Sequence, residues 1–391
     1  MKKNRLIFLI TYLAYVSIYV ARVNLSMASP ALIELSVLDK AQIGLLGSVF
    51  SVVYSVGRLF NGNLADKTPP WKMLTVGLIL SGIANLCFGL FPPFIALFLL
   101  WLVNAFAQSM LWSSVLVVIA SIYEPAEAKK KTSAMVTSVA TGNILGIIIN
   151  TFFITTLDVR YAFFVPGLLT IILGGAVFFA TRHIKEKELA ESIPHQSMLR
   201  LIKNKQIRRV CIPAFCHGIM KENISLWLTV FVIDLYAIDL STSAYYVLLI
   251  PAIGLLGRSV YFPIYKLCKE NEHTVSSVCF LLCIACAAFL CLGKINVLAS
   301  VIALGLIYAA VSIINTSMLS IYPMQHAKGG AVASVSGIMD FATYLGGGIS
   351  SAIYGTVIAL WGYNPMFVSW IAVSVISVAT LFFVTKAQKN H

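Results

Sequence analysis

The chain has 391 residues, of which 59% are hydrophobic and only 11% charged, and its formal net charge is +13. Soluble domains carry about 25% charged residues, so too few charges remain here to cover a water-facing surface, and a disordered chain would be polar. The composition therefore excludes a secreted enzyme, a soluble dehydrogenase and a nucleic-acid-binding protein, and it indicates an all-α polytopic protein of the lipid bilayer.

A helix needs about 20 apolar residues to cross the hydrocarbon core of a membrane. Apolar runs separated by charged residues, Pro or Gly predict twelve transmembrane helices. They lie at residues 6–33, 43–63, 72–91, 95–122, 133–156, 161–181, 209–236, 243–266, 274–293, 296–322, 332–359 and 366–384. The first run is too long for a cleaved signal peptide and carries Arg22 and Pro30.

The longest polar segment separates the sixth and seventh predicted spans. It divides the chain into an N-terminal six-helix bundle of residues 1–185, a cytoplasmic linker of residues 186–207 and a C-terminal six-helix bundle of residues 208–391. With the N-terminus inside, 21 of the 28 Lys and Arg residues lie in cytoplasmic segments, and only Lys40, Arg160 and Lys294 lie outside. Because such residues collect in cytoplasmic loops, both termini are predicted to be cytoplasmic. The membrane in which the protein lies is predicted to be the inner membrane of the cell. The apolar exterior is compatible with a monomer.

Both halves place cations inside predicted spans. Span one carries Arg22 and span seven Lys221, and Arg58 and Arg258 follow in spans two and eight. A cation in hydrocarbon costs about 3 kcal/mol and persists where it faces water, a partner or a ligand. Two cations facing each other across a low-dielectric cavity repel unless an anion lies between them. The repeat therefore predicts a small anionic substrate bound between the halves.

The titratable groups near Lys221 leave alternatives open. Glu222 and Asp340 would either neutralise Lys221 in a buried ion pair or couple transport to protons, since intramembrane carboxylates support both roles. His217 precedes Lys221 by one helical turn and is either a helix-packing residue or a sensor of the protonation of a bound monoanion.

Aromatic residues are predicted to line the anion site. Tyr15, Tyr19 and Arg22 share one face of span one because of their i, i+4, i+7 spacing. Tyr54 and Arg58 share a face of span two in the same way. The remaining aromatic candidates, in spans four, ten and eleven, are Trp112, Tyr308 and Tyr344.

No pattern of catalytic or metal-binding residues stands out. Nucleophile–base pairs, metal-ligand spacings and phosphate-cradling glycine loops are all missing from the sequence, so neither enzymatic activity nor a cofactor is predicted. Cys279, Cys283 and Cys286 share a helical face, but no His or carboxylate joins them, and free Cys behaves as a small hydrophobe.

Several of these stretches resemble one family. The loop from Gly62 to Lys67 (GNLADK) is similar to the G-x-x-x-D-R/K loop of the major facilitator superfamily, and residues 15–24 (YVSIYVARVN) resemble the Y-x-x-x-Y-x-x-R-x-N stretch of its organophosphate:phosphate antiporters, the glycerol-3-phosphate and hexose-phosphate transporters. Three further segments are similar to the family more weakly: Tyr54-Ser-Val-Gly-Arg58 resembles its Y-x-x-x-K stretch, and Tyr344-Leu-Gly-Gly-Gly348 resembles its Y-L-G-G. Residues 220–227 (MKENISLW) align with the segment that carries the second phosphate-binding arginine of the family. Tyr308 and Trp112 match a tyrosine in its span ten and a tryptophan in its span four. The resemblance covers about residues 9–384.

The resemblance implies a secondary transporter of twelve helices in two pseudo-symmetric six-helix bundles. It implies that Arg22 binds phosphate, that Lys221 replaces the second arginine, and that Tyr54 and Arg58 assist near the inner gate. It also implies gating roles for Gly62, Asp66 and Lys67, and it places Gly142 where glycerol-3-phosphate transporters have a histidine. The predicted function is exchange of a sugar or polyol phosphate for inorganic phosphate. The alternatives are a proton-coupled organic-anion symporter, with Glu222 titrating, and a membrane receptor for sugar phosphates.

Overall fold

The computed structural model describes residues 2–65, 68–183, 201, 203–293, 296–324 and 332–389, and the regular secondary structure of these residues is helical. The chain divides into two compact units, Met1–Glu191 and Ser192–His391. Residues 186–200 and 202, which make up most of the predicted linker of residues 186–207, lie outside the described residues. The domain bounds 1–185 and 208–391 therefore stay predictions.

The N-terminal unit is a bundle of long helices. Its described helices are α1 Lys2–Glu34, α2 Lys40–Ala65, α3 Pro70–Phe88, α4 Phe94–Ser109, α5 Leu111–Ile122, α6 Pro125–Thr156 and α7 Tyr161–Thr181. Helix α1 packs against α6 and α7, α3 packs against α7 and α4, and α2 packs against α4.

The C-terminal unit repeats this packing scheme. Its described helices are α8 Lys205–Tyr236, α9 Leu240–Ser259, α10 Tyr261–Leu267, α11 Glu272–Leu290, α12 Val297–Asn315, α13 Val332–Trp361 and α14 Asn364–Lys389; the π-helical segment Thr316–Ile321 and the turn Tyr322–Met324 follow α12. Helix α8 packs against α13 and α14, α11 packs against α14 and α12, and α9 packs against α12. The pairing matches the first unit helix for helix, so the internal repeat inferred from the cations extends to the tertiary structure of each unit.

Among the described residues, eleven helical stretches are long and apolar enough to cross a membrane. The seventh predicted span corresponds to α8, which is 32 residues long but does not meet the same criterion. The polar run Lys221-Glu222-Asn223 lowers its hydropathy. Such residues are tolerated because α8 is enclosed by its neighbours: Met220 on one side of the run is fully buried and Trp227 on the other is 1% exposed.

Two predicted spans consist of two helices each. Span 95–122 is interrupted at Met110, where the hydroxyl of Ser109 donates to the carbonyl of Phe106 at 2.6 Å and accepts from Nδ2 of Asn61 at 2.7 Å. Such side-chain bonds compete with the helical ladder. Span 243–266 is likewise divided at Val260, between α9 and α10.

Several helices extend beyond the apolar runs that predicted them. Helix α6 begins at Pro125 rather than at residue 133, because a proline is accommodated in the first turn and polar residues continue the helix outside the hydrocarbon. At the start of α9, Asp239 accepts hydrogen bonds from the hydroxyl of Thr242 at 2.7 Å and from its backbone N–H at 2.9 Å, and these bonds lower the pKa of the Asp239 carboxyl.

Candidate functional site

Arg22 lies among aromatic rings in the N-terminal unit. Its Cζ atom is 4.5 Å from the ring centroids of both Phe50 and Tyr54 on α2, and 5.5 Å from that of Tyr19, one turn earlier on α1. The Phe50 and Tyr54 rings are stacked at 5.9 Å with an interplanar angle of 12°. A cation over an aromatic face gains about 0.5–2 kcal/mol, more when desolvated. These rings therefore offset part of the cost of keeping a guanidinium inside the bundle.

The other predicted residues of this unit join the same cluster. The Tyr15 ring is 5.6 Å from the Tyr19 ring and 5.4 Å from that of Trp112, which α5 supplies. Arg58 stands at the edge of the cluster, with its Cζ atom 5.9 Å from the Tyr54 ring. The structure thus brings together six predicted residues from three helices: Tyr15, Tyr19, Arg22, Tyr54, Arg58 and Trp112.

Phe50 is a member of this cluster that the sequence analysis missed. It precedes Tyr54 by four residues and Arg58 by eight, so the three share one face of α2. That spacing was available in the sequence, but a phenylalanine in an apolar run is indistinguishable from ordinary packing without its neighbours.

Lys221 forms the corresponding feature of the C-terminal unit. Its Nζ atom is 3.1 Å from Oε1 of Glu222, and the two side chains are 26% and 21% exposed. The same Nζ atom lies 4.6 Å from the ring centroid of Tyr344 on α13. Three predicted residues, Lys221, Glu222 and Tyr344, are therefore in contact, and the lysine charge is balanced by its neighbour.

Glycines allow α8 and α13 to approach closely at this point. A Cβ atom on Gly218 would stand 2.5 Å from the carbonyl carbon of Thr343 and still closer to its oxygen. On the opposite helix, a Cβ atom on Gly346 would be 2.9 Å from the carbonyl carbon of Phe215. Ordinary van der Waals contact is 3.4–4 Å, so both positions require glycine. The crossing brings the Tyr344 ring within reach of Lys221.

His217 is placed as a packing residue. It is fully buried, and its Nε2 atom is 3.0 Å from the backbone carbonyl of Val311 on α12. Because a carbonyl only accepts, Nε2 carries the proton and donates it. This position favours the helix-packing alternative over contact with a bound monoanion.

The remaining predicted residues are more scattered. Tyr308, on α12, lies against α9, where a Cβ atom on Gly254 would be 2.7 Å from its ring. Asp340 lies on α13 one turn before Tyr344 and is half-buried. Gly62 lies in α2, whereas Asp66 and Lys67 of the predicted gating loop are outside the described residues.

A buried asparagine follows Arg22 and Lys221 by two residues, and the sequence analysis assigned neither asparagine a role. Asn24 is fully buried, and its Nδ2 atom donates to Oδ1 of Asn85 on α3 at 2.8 Å and to the carbonyl of Ala162 on α7 at 3.2 Å. Asn223 is also fully buried, and its Nδ2 atom donates to Oγ of Ser350 on α13 at 2.7 Å. The sequence repeat Arg22-Val23-Asn24 and Lys221-Glu222-Asn223 could have revealed both.

Gly142, at the position of the family histidine, lies in a helix crossing. A Cβ atom there would be 2.5 Å from Cβ of Tyr19 and 2.7 Å from the carbonyl oxygen of Val16 on α1. No side chain fits, so α6 contributes backbone rather than a titratable group next to Tyr19.

Each of the two clusters holds a cation against aromatic side chains. A guanidinium flanked by neutral rings and an ammonium beside a tyrosine provide hydrogen-bond donors and positive charge inside apolar helices. Over the described ranges, no group of three or more His, Cys, Asp or Glu residues is placed to hold a metal ion. Cys279, Cys283 and Cys286 are buried free thiols.

Repeated helix packing, eleven apolar spans in the described part of the chain and cations carried by α1 and α8 define a multi-pass membrane protein. The sequence model of the Major Facilitator Superfamily matches residues 11–351, and the chain therefore belongs to this superfamily. A solved bacterial homolog of the human lysosomal transporter Spinster, inward-facing and unoccupied, has a TM-score of 0.81 at 15% identity, covering 98% of this chain and 97% of that one. This likeness shows the fold.

Three relatives of known name are similar to this chain over stretches of different length. A probable hexose phosphate transport protein of Chlamydia trachomatis is 31% identical over 168 residues, which are 43% of this chain and 37% of that protein. Its counterpart in Chlamydia muridarum is 23% identical over 416 residues, covering 96% of this chain and 89% of that protein. The membrane sensor protein UhpC of Escherichia coli is 33% identical over 111 residues, 28% of this chain and 24% of that protein.

Proposed function

We propose that the protein carries a small phosphorylated metabolite, a sugar or polyol phosphate, across the membrane in exchange for inorganic phosphate. The observation that carries the proposal is the guanidinium of Arg22, held 4.5 Å from two aromatic rings inside a membrane-spanning helix. Its planar fork of N–H donors matches phosphate oxygens bidentately. The relatives named as hexose phosphate transport proteins support the same class of substrate.

The neutral rings position Arg22 without cancelling its charge. Phe50, Tyr54 and Tyr19 carry no net charge, so their contacts hold the guanidinium without opposing its attraction for an anion. Lys221 adds a second cation from the other unit. An anion that binds one conformation of the transporter more tightly than another shifts the balance between them, which is the basis of alternating access.

Transport into proteoliposomes tests the proposal. Vesicles loaded with inorganic phosphate are offered labelled hexose phosphates and glycerol phosphate. We expect uptake by the wild type, none by Arg22→Ala, and strongly reduced uptake by Arg22→Lys, which keeps the charge but loses the fork. The matched control is Arg160→Lys, since Arg160 is exposed and its Cζ atom is 5.5 Å from the Phe91 ring; its uptake should equal the wild type.

Two outcomes would count against parts of the proposal. Full uptake of every anion by Arg22→Ala would remove the central role of this residue. Equal uptake into vesicles with and without internal phosphate would exclude exchange while leaving transport intact.

A sensor for external sugar phosphates is the second candidate, because one relative is named as a membrane sensor protein. A sensor would bind the anion without moving it. Melting temperatures of the purified protein that rise with hexose phosphate, together with no flux in proteoliposomes, would favour this candidate.

The topology of the proposed transporter follows from charge. We place both termini and the gating residues Gly62, Asp66 and Lys67 in the cytoplasm, with the protein a monomer in the inner membrane. The bias of Lys and Arg toward the predicted cytoplasmic segments supports this orientation. Labelling of single cysteines introduced at the termini with a membrane-impermeant reagent checks it.

A further inference from the structure

The ion pair between Lys221 and Glu222 is unusual in its geometry. Neighbouring residues of a helix do not face each other, so a contact at 3.1 Å between their side chains requires that one side chain be directed toward the other. The two side chains are only 26% and 21% exposed, so solvent screens the contact little.

Helix α13 supplies the constraint that directs the carboxylate. A Cβ atom on Gly347 would lie 2.7 Å from Cβ of Glu222, nearer still to its Cγ, and 3.1 Å from the carbonyl of Gly218. The glycine therefore leaves room for the Glu222 side chain at the helix crossing, while Tyr344 on the same helix contacts Lys221.

The N-terminal unit makes the equivalent contact with an apolar residue. Val23 follows Arg22 as Glu222 follows Lys221, and a Cβ atom on Gly146 of α6 would lie 3.3 Å from Cβ of Val23. A valine is sufficient to pack against a glycine at this crossing. Packing at such a crossing therefore does not require the carboxylate of Glu222.

We propose that Glu222 is the resident counter-ion of Lys221, that the phosphate group of the substrate displaces it, and that the displaced carboxylate takes up one proton from solvent. This inference rests on the proposed function. Before binding, the ion pair stabilises the lysine charge. On binding, the phosphate oxygens replace Oε1 at the ammonium, and a carboxylate left unpaired in a low-dielectric bundle is neutralised by protonation.

Few other groups compete for this proton. The helices packed against α8 carry Asp340 and Tyr344 near Lys221 on α13, Tyr308 on α12, and tyrosines and Arg258 on α9, while α14 has no titratable residue between Asn364 and Thr385. On α8 itself, the buried Nε2 of His217 is bonded to a carbonyl. Asp340 also interacts electrostatically with Lys221, but among the described residues the ion pair at 3.1 Å is made by Glu222, so its carboxylate is the one that a phosphate would displace.

Calorimetry of inorganic phosphate binding to the purified full-length chain at pH 8 tests the proposal. The binding enthalpy measured in two buffers of different ionisation enthalpy gives the number of protons taken up per phosphate bound. Protons that the phosphate itself exchanges contribute equally in every variant, so they cancel when two variants are compared. We expect the wild type to take up close to one proton more than Glu222→Gln, which should bind phosphate about tenfold more tightly. That difference in affinity should grow about tenfold per pH unit as pH rises, because one proton is linked to binding.

Two further variants sharpen the result. Glu34→Gln removes an exposed carboxylate and should behave as the wild type. Glu222→Val installs the residue of the other unit and should repeat the behaviour of Glu222→Gln, which keeps the test available if either variant is poorly folded. Equal proton uptake and equal affinity in wild type and Glu222 variants would overturn the counter-ion role, whereas no binding of phosphate or sugar phosphates to the wild type would instead overturn the proposed function.

Discussion

The close crossing of α8 and α13 makes a specific prediction about Gly218. In Gly218→Ala, the new Cβ would stand 2.5 Å from the carbonyl carbon of Thr343, where ordinary contact begins at 3.4 Å. The carbonyl oxygen of Thr343 would be nearer still, so the helices must part by more than about 1 Å, because the obstacle is backbone rather than a flexible side chain. Overpacking of this kind costs about 1–3 kcal/mol, and a clash with backbone belongs at the upper end.

The separation of α8 and α13 should also affect Lys221 and Tyr344, which belong to the proposed anion site. Lys221 is one turn from Gly218, and its Nζ atom is 4.6 Å from the Tyr344 ring on the opposite helix. Separation of the helices weakens this contact, so we expect weaker binding of phosphate in addition to a melting temperature lowered by several degrees.

Gly175→Ala is the matched control for this prediction. Gly175 lies in α7, and no atom lies within 4 Å of a Cβ placed on it. An alanine in open space within a helix favours the helix by about 0.5–1 kcal/mol. Thermal unfolding in the same detergent should leave Gly175→Ala at or above the wild type. A Gly218→Ala protein as stable as Gly175→Ala would refute the reasoning about the crossing.

Two other predictions concern residues beside the cations. Asn223→Ala should lower the free energy of unfolding by about 1–3 kcal/mol, since the hydroxyl of Ser350 loses a buried partner. Denaturant titration measures this free energy, and an unchanged midpoint would contradict the role of the hydrogen bond. Tyr54→Phe keeps the ring under Arg22 and should retain phosphate affinity within a few-fold, whereas Tyr54→Leu removes the cation–π contact and should weaken it by about 0.5–2 kcal/mol. Isothermal titration distinguishes them, and equal affinities in both variants would exclude the contact.

Much of the fold was predictable because a membrane imposes strong local rules. Apolar runs must be helical to satisfy their backbone in lipid, so the approximate positions of the helices could be read from the order of apolar and polar residues along the chain. The interruption at Met110 could not, since it depends on the hydroxyl of Ser109, which meets Asn61 of another helix. Helix α8 was correctly predicted from the sequence although it is less apolar than the other spans. Its polar residues are tolerated in a membrane because neighbouring helices bury the residues beside them.

The candidate site was predictable in its cations and less so in their partners. The i, i+4, i+7 spacing placed Tyr15, Tyr19 and Arg22 on one face, and the rings of the two tyrosines are 5.6 Å apart. Phe50 was overlooked because its role arises from contact with a different helix.

The sequence by itself determined the class of protein, its helical character and the presence of a positive charge in each half, because apolar runs and charged residues are properties of the chain before it folds. Only the tertiary structure decided which groups meet those charges. Neutral rings from α2 surround Arg22, whereas Glu222, accommodated by Gly347 across a helix crossing, neutralises Lys221. Electrostatic interactions between helices depend on distances of a few ångströms, and those distances are set by packing that no single segment encodes.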